Sequence, residues 1–334
     1  MASTIERTNF GSLPDGTRID LITMRGGPGL VLGVINYGCI IVSLRVPDAG
    51  GRAASVVLGY DRLEPYLEPS PYFGALVGRY ANRIANARFS IDGRAYLVSP
   101  NEPPNHLHGG FRGFDKRVWE AETAAAADTV VFRRRSPDGE EGYPGTLDAE
   151  VTYSLGESLQ MTCEAETDAP THVNLTQHSY FNLAGGGDVF AHQLRIDAHA
   201  YLPVDERLIP TGEQAPVAGT PFDFRRPQAI GARVHDSHEQ LTRGRGYDHN
   251  FILDGGGIAL ARAARAVDPS SGRTLEIETT EPGLQFYSGQ VVGFGGFCLE
   301  PQHFPDSPNR PEFPSTLLRP GQRYRSMTRY TFKT

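Results

Sequence analysis

Two residues far apart in the chain are of types that could move protons between neighbouring oxygens. Glu300 lies in Cys298-Leu299-Glu300-Pro301-Gln302, and His178 in Thr176-Gln177-His178-Ser179-Tyr180-Phe181-Asn182-Leu183. Phe297, Cys298 and Leu299 read as a short buried strand bounded by Gly295-Gly296 and Pro301. A carboxylate there is costly to bury unless it is hydrogen-bonded or put to use. A carboxylate base and an imidazole acid in one pocket can take a proton from a hydroxyl and give one to a nearby ring oxygen. That suffices to open and reclose a cyclic hemiacetal, with no cofactor and no metal.

Four further clusters supply polar groups. They are Gly78-Arg79-Tyr80-Ala81-Asn82-Arg83-Ile84, Asn105-His106-Leu107-His108-Gly109-Gly110, Tyr247-Asp248-His249-Asn250 and Leu284-Gln285-Phe286-Tyr287. Planar amides, carboxylate, guanidinium and neutral imidazole suit a ligand rich in hydroxyls, because each hydroxyl both donates and accepts. An aromatic face suits the C–H side of a sugar ring. Arg83 reads as the ligand and Arg79 as structural. The glycines after His108 allow backbone to come close to a ligand. His106 and His108, two apart, would face opposite ways on a strand, which argues against joint metal ligation. Gly185-Gly186-Gly187 and Gly255-Gly256-Gly257 match no nucleotide fingerprint and read as turns.

The elements that must position these residues are predominantly strands. Alternation and β-branched content predict strands over 19–24, 30–37, 40–46, 129–135, 146–155, 159–167, 193–199 and 323–332. Asp92-Gly93, between 88–91 and 94–98, predicts a tight hairpin. Residues 258–267 have helical composition, yet a turn signal and the alternating Leu275-Glu276-Ile277-Glu278 follow, so both halves read as a hairpin. Many strands at short spacing with Gly and Pro between them indicate an all-β sandwich or barrel. The loop-rich stretch 203–246 carries Pro221-Phe222-Asp223-Phe224 as an apolar anchor, so residues 1–334 read as one domain.

The chain of 334 residues has a formal net charge of -7, 39% hydrophobic and 21% charged residues. This is an ordinary globular composition, and the negative balance argues against a nucleic-acid partner. Lys116 and Lys333 are the only lysines, a bias best assigned to base composition. Cys39, Cys163 and Cys298 are too few and too dispersed for a disulfide framework. No basic-then-apolar pattern opens the chain and no apolar run approaches bilayer length, so a cytoplasmic protein without a membrane partner is expected. The sequence does not specify the oligomeric state.

Taken together, Pro71-Tyr72-Phe73-Gly74-Ala75, residues 78–84, 105–110 and 178–183, Asp248-His249-Asn250-Phe251 and residues 298–302 resemble the signatures of the aldose 1-epimerases, the galactose mutarotases, in the family's order. The resemblance implies a large antiparallel β-sandwich with a sugar cleft across one sheet. It implies Glu300 as general base and His178 as general acid, with Asn82, Arg83, His108, Tyr180, Asp248 and Gln285 holding the hydroxyls of a free monosaccharide. His108 would also lie near the ring oxygen. A bell-shaped pH profile follows, its acid limb assigned to Glu300 and its alkaline limb to His178. A non-catalytic sugar-binding protein on the same fold is the rival reading, against which both Glu300 and His178 speak. Gln177, His303-Phe304 and a short, Gly-rich 288–296 segment depart from the family pattern and bear on which aldose is preferred.

Overall fold

The computed structural model describes residues 4–124, 128–257 and 259–334. It is built from strands, with two short α-helices among the described residues, Glu64–Leu67 and Glu239–Gly244. Three antiparallel sheets of five, nine and six strands organise it. The five-stranded sheet is a meander running from Thr4–Ser12 to Ala53–Ser55. The nine-stranded sheet includes Thr129–Ser136, Leu147–Leu155, Leu159–Thr167, Tyr324–Lys333, Thr274–Thr279 and Ala261–Val267 as consecutive neighbours. The six-stranded sheet runs Tyr180–Phe181, Phe297–Gln302, Gly283–Tyr287, Asp248–Leu253, Ala198–Tyr201 and Ala215–Pro216.

Period-two alternation explains where the core lies. Val151, Tyr153, Leu275, Ile277, Tyr330 and Phe332 of the larger sheet share one apolar cluster with Phe251, Leu284, Phe286, Phe297 and Leu299 of the smaller. Phe181 spans the two, its ring centroid 5.9 Å from that of Tyr330. Each such Leu or Phe contributes about 1.5–3 kcal/mol on burial. Phe222 and Phe224, from the loop-rich stretch, join the same cluster. The molecule is thus an all-β sandwich. The opposite face of the six-stranded sheet carries Cys298, Glu300, Gln285, Tyr287, Asp248 and Asn250, which the register sets side by side.

The hairpin at Asp92-Gly93 has the two positive φ values that its turn requires, 52° and 81°. Ala261–Val267 pairs with Thr274–Thr279 as a hairpin despite its helical composition; Ile258 lies outside the described residues. A register shift between Arg262 and Ala264 turns both Ala263 and Ala264 inward, and small side chains tolerate that bulge. Pro301, expected to end its strand, instead continues it to Gln302. It stands beyond the Tyr180–Phe181 pairing, where its missing N–H costs no ladder bond on that side.

Candidate active site

Glu300 projects from the Phe297–Gln302 strand into a cleft where it is 2% exposed. Its Oε2 has no hydrogen-bond partner and lies 3.7 Å from Nε2 of His178. His178 ends the strand Thr176–His178, which pairs with Ala75–Val77. Its ring is flanked by those of Tyr72 and Tyr180, at centroid distances of 5.7 and 5.1 Å, and meets His108 edge-on at 5.2 Å. The acid and base candidates therefore face one another.

Burial governs their charge. It pushes Glu300 well above the usual carboxylate range; Asp248 adds to the shift and Arg83 opposes it. It pushes His178 down to about 4. Burial thus biases the pair toward a protonated carboxyl group and a neutral imidazole. That bias runs opposite to the limb assignment read from the sequence. It favours a proton lost from Glu300 on the alkaline side and one gained by His178 on the acid side. Desolvation, invisible in a motif, is the reason.

The remaining sequence-predicted residues converge on the same cleft. Backbone N–H of Asn82 donates to Nδ1 of His108 at 3.1 Å, so the neutral His108 ring carries its proton on Nε2. Burial, then His178 and Arg83, hold His108 well below the usual imidazole range. Asn82, at φ 64°, accepts from Arg83 N through Oδ1 at 2.9 Å, leaving its amide NH₂ as a donor. Arg83 grips Glu102 with Nε and Nη2 at 2.6 and 2.8 Å, and Nη1 remains. Asp248 Oδ1 accepts from Gln285 Nε2 at 2.6 Å, while buried Gln285 Oε1 has no partner. Tyr180 packs between His178 and Tyr287. The result is a pocket of unspent donors and acceptors around the candidate proton-transfer pair.

His108, His178 and Glu300 place ligand-type atoms within 4.8 Å of one another. A metal is nonetheless poorly served. His108 has committed Nδ1 to the Asn82 amide and its proton to Nε2, so the neutral ring offers no free lone pair. His106 is spent elsewhere, on Ser99 O at 2.7 Å and Tyr143 Oη at 2.6 Å.

Arg79 is structural: its guanidinium donates five hydrogen bonds, to Ser136 Oγ and to the carbonyls of Ser136, Pro137, Pro144 and Gly145. Gly109 and Gly110 do not open a path to a ligand. At φ 87°, a Cβ on Gly109 would fall 1.8 Å from Gly78 O, and one on Gly110 would strike the Glu141 carboxylate. Their freedom lets the His108 loop close on protein instead. Gln177 points away from the cleft, donating to Gly74 O and Tyr153 Oη. His303 pairs with Glu281, and Phe304 is buried against Phe313 rather than offering a stacking surface. In the 288–296 segment, Gln290 ties back to Gly244 O at 2.7 Å, while Val291 is exposed.

Tyr72 and Glu102 take part without having been assigned a role from sequence. Tyr72 lies in a quoted motif, but its φ of 62°, which aims the ring at His178, leaves no mark in residue type. Glu102 meets Arg83 only through the fold. A groove of about 800 Å³ on the nine-stranded sheet is lined by Arg133, Arg135, Asp148, Glu150, Glu164 and Arg323. Those charges already pair among themselves and offer no comparable chemistry.

Comparison with known proteins agrees with this geometry. The sequence profile of the family described as aldose 1-epimerase matches residues 20–331. Galactose mutarotase of Rattus norvegicus is 46% identical, with 98% of each chain covered. Aldose 1-epimerase of Escherichia coli (strain K12) is 40% identical, with 96% of each covered. The crystal structure of galactose 1-epimerase from Lactobacillus acidophilus NCFM superposes with a TM-score of 0.87 at 27% identity, over 99% of both chains.

Proposed function

The chain belongs to the aldose 1-epimerase family and interconverts the α and β anomers of a free aldose, and we propose that Glu300 and His178 carry the two proton transfers. The observation that supports this most is the buried Glu300 Oε2, unpartnered and 3.7 Å from His178 Nε2. A pyranose whose ring oxygen and anomeric hydroxyl lie between them gives each group its task. The carboxylate removes the proton of the C1 hydroxyl and the imidazolium protonates the ring oxygen. The C1–O ring bond breaks and the open-chain aldehyde forms. Rotation about C1–C2 presents the other carbonyl face, and reclosure returns both protons.

The proton count stays at one throughout. Carboxylate plus imidazolium, and carboxylic acid plus imidazole, hold the same single proton. Ring opening converts the first form into the second. Burial favours the neutral form, so the cleft stabilises the state that accompanies the open chain. Each positioned transfer contributes about 10²–10⁴-fold in rate.

His108, held neutral with its proton on Nε2, donates to a sugar oxygen and takes no part as a base. Asn82 and Arg83 donate to hydroxyls, Asp248 and Gln285 Oε1 accept, and Tyr180 closes one side. Galactose is the sugar to try first, since the rat relative is named galactose mutarotase. Polarimetry on freshly dissolved α-galactose, with glucose and pentoses in parallel, tests the assignment. Glu300→Gln should bind sugar while losing about 10²–10⁴-fold in kcat; unchanged turnover would end the role given to Glu300.

A further inference from the structure

Two opposite charges face each other across the cleft without joining. Burial raises the carboxyl of Asp248, and Arg83 does most to oppose it. Burial likewise works against the charge of Arg83, which Glu102 and Asp248 uphold. Yet among the described residues the ion-pair partner of Arg83 is Glu102, not Asp248. Opposite charges with so little water around them attract strongly and, left alone, would close on each other. An Arg83–Asp248 pair would spend the very groups that sugar hydroxyls need. Both sides are tethered against it. Oδ1 of Asp248 accepts from Nε2 of Gln285, on the neighbouring strand, at 2.6 Å. Glu102 takes one whole edge of the Arg83 guanidinium, Nε at 2.6 Å and Nη2 at 2.8 Å. Nη1 and the second hydrogen of Nη2 stay free to donate.

We propose that Glu102 is a positioning residue that holds Arg83 off Asp248, keeping donor and acceptor separated by the space that the hydroxyls of an aldose fill. The proposal rests on Arg83 and Asp248 being sugar ligands, and it explains how the two stay available in one buried cleft. Glu102 is itself held in place. Its backbone exchanges hydrogen bonds with that of Asn105 in both directions, at 3.1 and 2.7 Å. The chain then enters His106–Leu107, which pairs with Arg83–Ile84. The carboxylate is therefore anchored beside the strand whose guanidinium it grips. It grips from the outer side, its side chain 37% exposed against 10% for Arg83. Two acceptor oxygens are needed for that grip. A glutamine would offer one and turn an NH₂ group toward another N–H. Glu102 acts through the guanidinium and takes no part in the proton transfers.

The test joins crystallography to kinetics. Crystals of the wild-type protein are compared without sugar and soaked in galactose or glucose, whichever turns over faster. Arg83 should keep both bonds to Glu102 in each. An Arg83 that pairs with Asp248 in the sugar-free crystal, or leaves Glu102 when sugar enters, overturns the proposal without any variant. In sugar-free Glu102→Gln the guanidinium should move to within about 4 Å of the Asp248 carboxylate; an unmoved Arg83 overturns the proposal. That variant should raise KM about tenfold with kcat within about threefold. In an Arg83→Ala background the same substitution should change KM by less than about twofold. Equal effects in the two backgrounds mean that Glu102 acts independently of Arg83, and the proposal fails. Arg83→Ala also separates the two claims. If it leaves KM unchanged, Arg83 is no sugar ligand and the underlying reading is wrong; if it raises KM while Glu102→Gln does not, only the role of Glu102 falls.

Discussion

Asp248→Asn should shift one limb of the pH–rate profile and leave the other in place. Asp248 and Glu300 stand on strands separated by Gly283–Tyr287. Two strand spacings of about 4.8 Å, with an offset of two residues at about 3.4 Å each, put their charges about 12 Å apart. At an effective dielectric of about 20 the repulsion is about 1.4 kcal/mol, or about one pH unit. Asp248 is among the causes that hold Glu300 up. Without it Glu300 gives up the pair's proton more readily, and the alkaline limb should move down by about one unit. The acid limb, assigned to His178 near pH 4, should hardly move, because burial rather than Asp248 sets the His178 shift. Initial polarimetric rates from roughly pH 3.5 to 9, corrected for buffer-catalysed mutarotation, give kcat/KM across both limbs. Asp248 is also a proposed sugar ligand, so the rate at the plateau should fall; the positions of the limbs are what matter. A shift of the acid limb with a fixed alkaline limb would refute the one-proton account and restore Glu300 to the acid side.

Gly109→Ala should cost about 2–4 kcal/mol of stability and raise KM, since its methyl meets Gly78 O and displaces His108; thermal unfolding and sugar titration check both. Arg79→Lys should destabilise by about 3 kcal/mol or more, because an ammonium cannot span the oxygens that Arg79 bridges, and any folded protein should keep a near-normal KM. Arg83→Lys should do the reverse, weakening sugar binding by roughly tenfold (about 1.4 kcal/mol) at a smaller cost in denaturant-measured stability.

The sequence reveals a good deal of this molecule and misses the rest for identifiable reasons. Strands with one apolar and one solvated face, such as Leu147–Leu155, show alternation plainly. So does the turn at Asp92-Gly93. Asp248–Leu253 does not read as a strand, because both of its faces are covered and one is lined with polar side chains for the cleft. His249 and Phe251 face the core while Asp248 and Asn250 face the site. Thr4–Ser12 is missed because its side chains are mostly exposed and pairing with Arg18–Arg25 holds it in place. That Glu300 and His178 belong together is legible from residue type and motif, and the structure sets them 3.7 Å apart. Their protonation is not legible, since the burial that sets it comes from Tyr72, Tyr180 and the packing of three strands. Nor is the Arg83–Glu102 contact, which local pattern cannot foretell.

The imidazole of His178, held between two phenol rings, has a mechanical consequence. A ring so wedged has little room to follow its substrate, and Glu300 rises from a strand paired on both sides. All movement between the two anomers therefore falls to the sugar: one half-turn of an aldehyde about a single carbon–carbon bond. The enzyme has to leave slack only at that end of the molecule and can clamp the remaining hydroxyls tightly. Tolerance for unusual substituents should accordingly be greatest nearest the aldehyde and fade toward the far end of the chain.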